Sequence, residues 1–247
     1  MTSWLILGAT SGIAKPLVRE FADRGYRLFL TAREESSEEL RRLAHDLEVR
    51  YDVEVQTGIF EALDFPSYGT FILEVEKKFG MIDGVVWMIG RMHPQEELQY
   101  DGEQARLQHD TNYTAAMSIL STISETMEKR RSGHIVAIGS PAGDRGRRSN
   151  YFYGADKAAL HTFLEGLRHR LSRSGVKVLT VKPGPTRTPL TDGVRNLPLV
   201  TEPEIVAKDI IQAIERGKEV IYTPRIWQLI MLVIRHLPGW IFKRAKL

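Results

Sequence analysis

The sequence predicts an α/β fold, a single domain built on a doubly wound parallel sheet with helices on both faces. Three observations predict it. Short apolar, β-branched runs alternate with helical patterns along the chain, 247 residues suit one α/β domain with ample core, and a glycine-rich turn joins the first strand to the first helix. Strands are expected at 4–8, 27–32, 53–57, 84–89, 134–138, 177–181 and 220–222. Helices are expected at 13–24, 37–50, 66–79, 102–129, 151–172 and 204–215, with no internal repeat, low-complexity tract or linker between them. Ligands of such a sheet lie beyond the carboxyl ends of its strands.

The first strand, Trp4-Leu5-Ile6-Leu7, runs directly into Gly8-Ala9-Thr10-Ser11-Gly12-Ile13-Ala14 and then into a segment with Leu17, Val18 and Phe21 at helical spacing. Strand, glycine turn, helix is the context in which such a segment binds a dinucleotide, as in Rossmann-type domains. Gly8 permits the tight turn, Gly12 lets the backbone approach a pyrophosphate at the helix N-terminus, and Ala14 fills the small position where helix packs on strand. The second strand ends in Ala32-Arg33, without the acidic residue that binds a free ribose 2′-hydroxyl. An arginine pairs with a 2′-phosphate and stacks on adenine, so NADP(H) is expected in preference to NAD(H).

Composition narrows the function classes. Hydrophobic residues make up 43% and charged ones 26%, ordinary for a globular protein. There is no cysteine, which excludes disulfides and thiolate catalysis, and the seven histidines show no metal-ligand spacing, so no metal is expected. Met1-Thr2-Ser3 leads straight into the first strand, from which no signal peptide and a cytoplasmic location are expected. The net charge of +3 is concentrated in Arg225, Arg235, Lys243, Arg244 and Lys246; taking away those five leaves −2, which removes the support for nucleic-acid binding.

The chemistry-bearing residues are Tyr153 and Lys157, four positions apart and so on one face of the helix expected there. An ammonium near a phenol favours the phenolate, which is expected to lower the tyrosine pKa and make a proton donor or acceptor usable near neutral pH. Tyr151 is the rival phenol, but its neighbour one turn on is Ala155. Gly139-Ser140 ends the fifth strand; Ser140 precedes Tyr153 by 13 positions, and Asn112 precedes Ser140 by 28, inside a helical pattern that continues without a break.

These motifs, in this order and register, resemble the short-chain dehydrogenases/reductases over nearly everything from Trp4 to Tyr222. Lys182-Pro183-Gly184-Pro185-Thr186-Arg187-Thr188 is similar to that family's Pro-Gly segment on the nicotinamide side. The resemblance implies a catalytic set of Asn112, Ser140, Tyr153 and Lys157. Tyr153 would exchange a proton with the substrate oxygen, Ser140 would hold and polarise that oxygen, and Lys157 would lower the tyrosine pKa and bond the nicotinamide ribose. Asn112 would anchor a water linking Lys157 to solvent. The cofactor residues it implies are Gly8, Thr10, Ser11, Gly12, Ile13, Arg33, Ile89, Gly90, Tyr153, Lys157, Pro183, Gly184, Thr186 and Thr188, with Glu61, or alternatively Asp64, near the adenine. The chain departs from the family where Trp87-Met88-Ile89-Gly90 replaces the usual Asn-Asn-Ala-Gly and Leu7 replaces threonine, which implies more apolar packing at those strand ends.

Two segments bear on substrate and location. Arg145, Arg147 and Arg148 lie between Ser140 and Tyr153; a solvated surface loop is the first reading of them, and a receptor for a phosphate or another anion the second. Residues 225–247 form a basic, apolar C-terminal segment distinct from the cofactor-binding domain of residues 1–224. Its run from Ile226 to Ile234 is too short to span a bilayer and, next to its clustered basic residues, suits either a helix in an anionic membrane interface or packing on a partner subunit or over the cleft. Together they suggest a phosphate-bearing, lipid-linked keto compound, similar to the keto-sugars reduced by one polyprenyl-phosphate branch of the family. The resulting expectation is an NADP(H)-dependent carbonyl reductase or alcohol dehydrogenase, a homodimer or homotetramer, at the inner face of the membrane if the tail meets lipid. The alternatives are a non-catalytic NADP(H)-binding sensor and a membrane-associated scaffold.

Overall fold

In the computed structural model, which describes residues 2–192, 194 and 197–245, seven strands form one parallel sheet in the order β3-β2-β1-β4-β5-β6-β7. They are β1 Ser3–Leu7, β2 Arg27–Ala32, β3 Val55–Ile59, β4 Gly84–Trp87, β5 His134–Ile138, β6 Lys177–Pro183 and β7 Val220–Thr223. The order reverses between β1 and β4, so the crevice at their carboxyl ends is the topological switch point.

The helices are α1 Ala14–Asp23, α2 Ser37–Tyr51, α3 Tyr68–Phe79, α4 Gln95–Leu98, α5 Gly102–His109, α6 Ala115–Arg130, α7 Tyr151–Leu171, α8 Pro203–Glu215, α9 Ile226–His236 and α10 Gly239–Phe242. Helices α1, α2 and α8 cover one face of the sheet over a core that includes Trp4, Ile6, Phe21, Leu30 and Ile210. Helices α3, α6 and α7 cover the other over Leu5, Leu7, Phe79, Trp87, Ile119 and Leu164. A sheet buried on both faces needs continuous apolar strands, and all five residues of β1 are buried.

The structure moves several expected bounds: β4 stops at Trp87 instead of residue 89, and β6 runs on to Pro183 instead of 181. Asp52 ends α2 in a left-handed conformation, φ 52°, so the chain spends Val53 and Glu54 in turning and β3 begins at Val55, opposite Leu28. The helix expected from residue 66 starts at Tyr68, after a short 3-10 turn Phe65–Ser67. The single helix expected over 102–129 is α5 and α6 joined by a π-helical segment, Asp110–Thr114, and that wider turn carries Asn112. The apolar packing expected at Trp87 is present: it is fully buried edge-on to Phe60, ring centroids 6.4 Å apart.

Candidate active site

The glycine turn lies at the carboxyl end of β1. Gly8 has φ +90°, and a Cβ there would come within 2.8 Å of Ile89 Cγ1, so both backbone conformation and the approach of the chain after β4 require glycine. Ala9 N–H donates to Thr31 O at 2.7 Å and ties the turn to β2. Thr10, Ser11, Gly12 and Ile13 are half-buried around the start of α1, with Thr188 closing over Gly12 so that a Cβ on Gly12 would meet Thr188 Cγ2 at 2.6 Å. The first turn of α1 carries neither an acidic residue nor a capping side chain. Lys15 N–H donates to Ser11 O and Pro16 has no N–H, so it is the backbone N–H groups of Gly12, Ile13 and Ala14, with the positive end of the helix dipole, that fit the pyrophosphate of a dinucleotide.

Arg33 follows β2 as an exposed side chain 3.5 Å from Glu35. Glu61 Oε1 accepts from Glu34 N at 3.0 Å, which places Glu61 against the same turn, whereas the Asp64 carbonyl caps the 3-10 turn by accepting from Ser67. Arg33 and Glu61 thus stand together beyond the carboxyl ends of β2 and β3, on the β2 side of the glycine turn. On the opposite side, Pro183 closes β6, Gly184 N–H donates to Thr223 O at 2.9 Å, and the Thr186 hydroxyl bonds Gly184 O at 3.0 Å. Thr191 holds this segment by donating to Thr186 O at 2.6 Å. Of the loop at 185–198, Gly193, Arg195 and Asn196 lie outside the described residues, as do Lys246 and Leu247 of the tail.

Ser140, Tyr153 and Lys157 converge beyond β5. The Ser140 hydroxyl accepts from Ala142 N at 3.1 Å, which fixes it at the start of a short 3-10 turn, Pro141–Asp144. Lys157 is buried, with its Nζ donating to Ile138 O at 2.9 Å and lying 5.6 Å from the centroid of the Tyr153 ring. Burial pushes the Tyr153 phenol up to about 12, against a smaller pull downward from the Ser140 side chain, and the nearby Asp156 carboxylate adds to the rise. Burial also pushes Lys157 down to about 8, with Asp156 opposing. The lowered tyrosine pKa expected from sequence is therefore corrected: desolvation outweighs charge here, and the ammonium is bonded to a backbone carbonyl.

Asn112 is fully buried and clamps the chain after β4, its Oδ1 accepting from Arg91 N at 2.8 Å and its Nδ2 donating to Arg91 O at 2.9 Å. Its Nδ2 also donates to Asp156 Oδ2 at 3.0 Å. A Cβ added at Gly90 would lie 3.4 Å from Asn112 Oδ1 and 3.6 Å from Lys157 Nζ, so both side chains border one gap above Gly90.

Sequence reasoning missed the supports of this set. Asp156, one residue before Lys157, is buried and accepts from Gln108 Nε2 at 3.2 Å and bonds His109 Nδ1 at 2.9 Å, besides Asn112. His161, one turn after Lys157, accepts from Ser140 N at 3.3 Å. Burial, then Lys182 and Lys157, push the His161 pKa down to about 3, so it stays neutral and can accept. Asp144 binds Lys182 Nζ and the Tyr222 hydroxyl, both at 2.6 Å, and pins the turn after Ser140 to β6 and β7. The available signal was helical spacing: His161 one turn after Lys157, and Asp156 three positions after Tyr153.

The three loop arginines separate. Arg145 Nη1 donates to Ile234 O and, at 2.8 Å, to Leu237 O, and its guanidinium stacks on Phe242 at 3.8 Å. It is therefore committed to the C-terminal segment, because the free carbonyls at the end of α9 need a donor. Arg148 is exposed. Arg147 is half-buried, with its Nε lacking a partner among the described residues, as do the buried Gln95 Nε2 and Asn150 Oδ1 beside the start of α7.

A family model described as short chain dehydrogenase matches residues 3–197. The chain belongs to the short-chain dehydrogenases. Among relatives of this short-chain dehydrogenase, an uncharacterized oxidoreductase of Mycobacterium tuberculosis is 31% identical over 240 residues, covering 97% of this chain and 95% of the other. Sulfoacetaldehyde reductase 2 of Chromohalobacter salexigens is 33% identical over 189 residues, 76% of this chain and 73% of that one. The fold is similar to that of a short-chain dehydrogenase from Sphingobium yanoikuyae in complex with NADPH, with a TM-score of 0.84, 24% identity and 97% of both chains covered. It is also similar to actinorhodin polyketide ketoreductase with NADPH, with a TM-score of 0.80, 24% identity, and 90% and 95% of the two chains covered.

Proposed function

We propose that this short-chain dehydrogenase is an NADP(H)-dependent oxidoreductase that interconverts a carbonyl and a secondary or primary alcohol, with Tyr153 as acid and base. The observation that carries the reading is the convergence of Ser140 and Tyr153 over the buried Lys157, beyond the same strand ends that carry the glycine turn. The first turn of α1, Thr10, Ser11 and Thr188 would hold the pyrophosphate, Arg33 the 2′-phosphate, and Lys157 the nicotinamide ribose. When bound, the nicotinamide supplies or accepts a hydride at the substrate carbon.

In reduction, Ser140 holds the carbonyl oxygen and Tyr153 gives it the phenolic proton, so that C=O becomes CH–OH. A phenol at about 12 keeps its proton at neutral pH and is a donor in the resting enzyme. Lys157, charged below about 8, then stabilises the phenolate left behind, and the gap above Gly90 between Asn112 and Lys157 is the route by which the proton returns. The unpartnered Nε of Arg147, with Arg148 nearby in sequence, favours a substrate bearing a phosphate, sulfonate or other anionic group, free or lipid-linked. A relative named for sulfoacetaldehyde, an aldehyde that carries a sulfonate, supports the same class. A groove of about 560 Å³ between Tyr113 on the π-helical segment and Phe163 and Arg170 on α7 supports a homo-oligomer paired through that face.

The test is titration of NADPH and NADH followed by NADPH oxidation against neutral, sulfonated and phosphorylated carbonyls, soluble and in lipid vesicles. Expected are tighter binding of NADPH, a preference removed by Arg33→Ala, and turnover abolished by Tyr153→Phe with NADPH binding kept. Arg147→Ala with Arg148→Ala should raise KM for the anionic carbonyls about ten-fold or more and leave the neutral ones unchanged. Turnover that survives Tyr153→Phe would overturn the mechanism, and NADPH binding without turnover on any carbonyl would return the sensor reading.

A further inference from the structure

We propose that the outward face of α9 and α10 docks on an anionic lipid bilayer. Helix α9 buries one apolar face and leaves further apolar residues exposed on its outward side, beside Gln228, Arg235 and His236. Trp227, Met231 and Ile234 pack inward against Tyr222, Ile230 and Phe242, and the Trp227 indole sits on Gly184, where no side chain would fit. The other side shows Leu229, Leu232 and Val233 at 61%, 57% and 62% exposure, followed by Trp240 at 67%. Large apolar side chains grouped on one exposed face need a second covering besides the helix's own core.

Charge selects the covering. Residues 225–245 carry Arg225, Arg235, Lys243 and Arg244 and no Asp or Glu, with all four basic side chains exposed. A two-fold contact with a second copy would set this cationic segment against itself. An anionic lipid surface complements it, drawing in the basic residues while the leucines, Val233 and Trp240 enter the headgroup boundary. The 11 residues of α9 are about half of what crossing requires, and no helix among the described residues is long and apolar enough to cross a membrane, so the segment lies in the interface plane.

The platform is tied to the domain by contacts already in place. Arg145 occupies the end carbonyls of α9 and stacks on Phe242, which turns Phe242 inward across the Pro238-Gly239 break and leaves Trp240 outside. Because Arg145 lies between Ser140 and Tyr153, and Trp227 lies on Gly184, the docked face is joined directly to both walls of the candidate active site. The docking itself is independent of the reaction catalysed there.

The four tryptophans supply the reporter, since Trp4, Trp87 and Trp227 are buried and Trp240 is exposed. Full-length protein is mixed with vesicles of phosphatidylcholine alone or with about 30 mol% phosphatidylglycerol, and sedimentation and tryptophan emission are recorded. Expected are co-sedimentation and a blue shift with the anionic vesicles only, weakened about ten-fold or more by about 0.5 M salt. Leu229→Asp with Val233→Asp should abolish both signals, and Lys243→Glu with Arg244→Glu should lower binding about ten-fold, with NADPH binding unchanged as the check on folding. No co-sedimentation of the wild type overturns the proposal. So does a solution dimer, seen by light scattering, that the Leu229 and Val233 variants dissociate while vesicle binding is absent.

Discussion

Burial favours the neutral form of both Tyr153 and Lys157, which puts the phenol at about 12 and the ammonium at about 8. The two groups therefore do not start as a phenolate–ammonium pair; at pH 7 the phenol is protonated and the lysine charged. Asp156 is the third member, raising both by its negative charge while Gln108, His109 and Asn112 satisfy its oxygens. A consequence belongs to the single residue. If the Lys157 ammonium bonds the cofactor ribose, the Kd for NADPH, followed by nucleotide fluorescence, rises as pH passes upward through about 8, by up to ten-fold per pH unit. Lys157→Met should flatten the profile. Asp156→Asn removes the charge that supports the ammonium and should move the midpoint below 8. A flat wild-type profile between pH 7 and 10 would detach Lys157 from cofactor binding.

At the scale of elements, the 3-10 turn Pro141–Asp144 is held from three sides by α7, β6 and β7. His161 contributes from α7, its ring wedged between Gly139 and Gly143 so that a Cβ on either would collide with it. A buried imidazole with a folded pKa of about 3 and an unfolded value near 6.5 binds no proton while the unfolded chain does. The stability that depends on its neutrality is full above about 6.5 and declines as pH falls from 6.5 toward 3, by at most about 1.4 kcal/mol per pH unit. His161→Gln, which keeps an acceptor for Ser140 N–H, should show a shallower loss of stability between pH 6 and 4 in urea titrations. An equal slope in both proteins would assign the acid sensitivity elsewhere.

For the whole molecule, the C-terminal segment is joined to the sheet domain by Trp227 on Gly184, by the packing of Trp227, Met231 and Ile234 on Tyr222 of β7, and by Arg145 on Ile234 O, Leu237 O and Phe242. Arg145→Ala removes the donor from the end of α9 and the stacking partner of Phe242, a local loss of about 1.5–3 kcal/mol for a charge-assisted contact. Hydrogen exchange over 226–242 should quicken by ten-fold or more, while the amides of β1, β4 and β5 keep their protection. Uniform acceleration through the sheet would mean that tail and domain unfold as one unit.

What the sequence by itself determined is local in origin. Apolar runs and helical periodicity set the alternation of elements, β2 and β5 to the residue, because a sheet buried on both faces admits no other pattern. The glycine turn, Ser140, and the Tyr153–Lys157 pair are legible for the same reason: each is a fixed spacing on one element. Only the tertiary structure decided which side chains meet across elements and how far each is desolvated. Sequence spacing does not reveal that Arg145 reaches residues 234 and 237, that Asp156 bonds Asn112 from 44 positions away, or that the continuous helix of 102–129 opens into a π-helical turn to seat Asn112. Nor could it order burial against charge at Tyr153, because desolvation depends on everything packed around the phenol, whereas the charge of Lys157 is written one turn away.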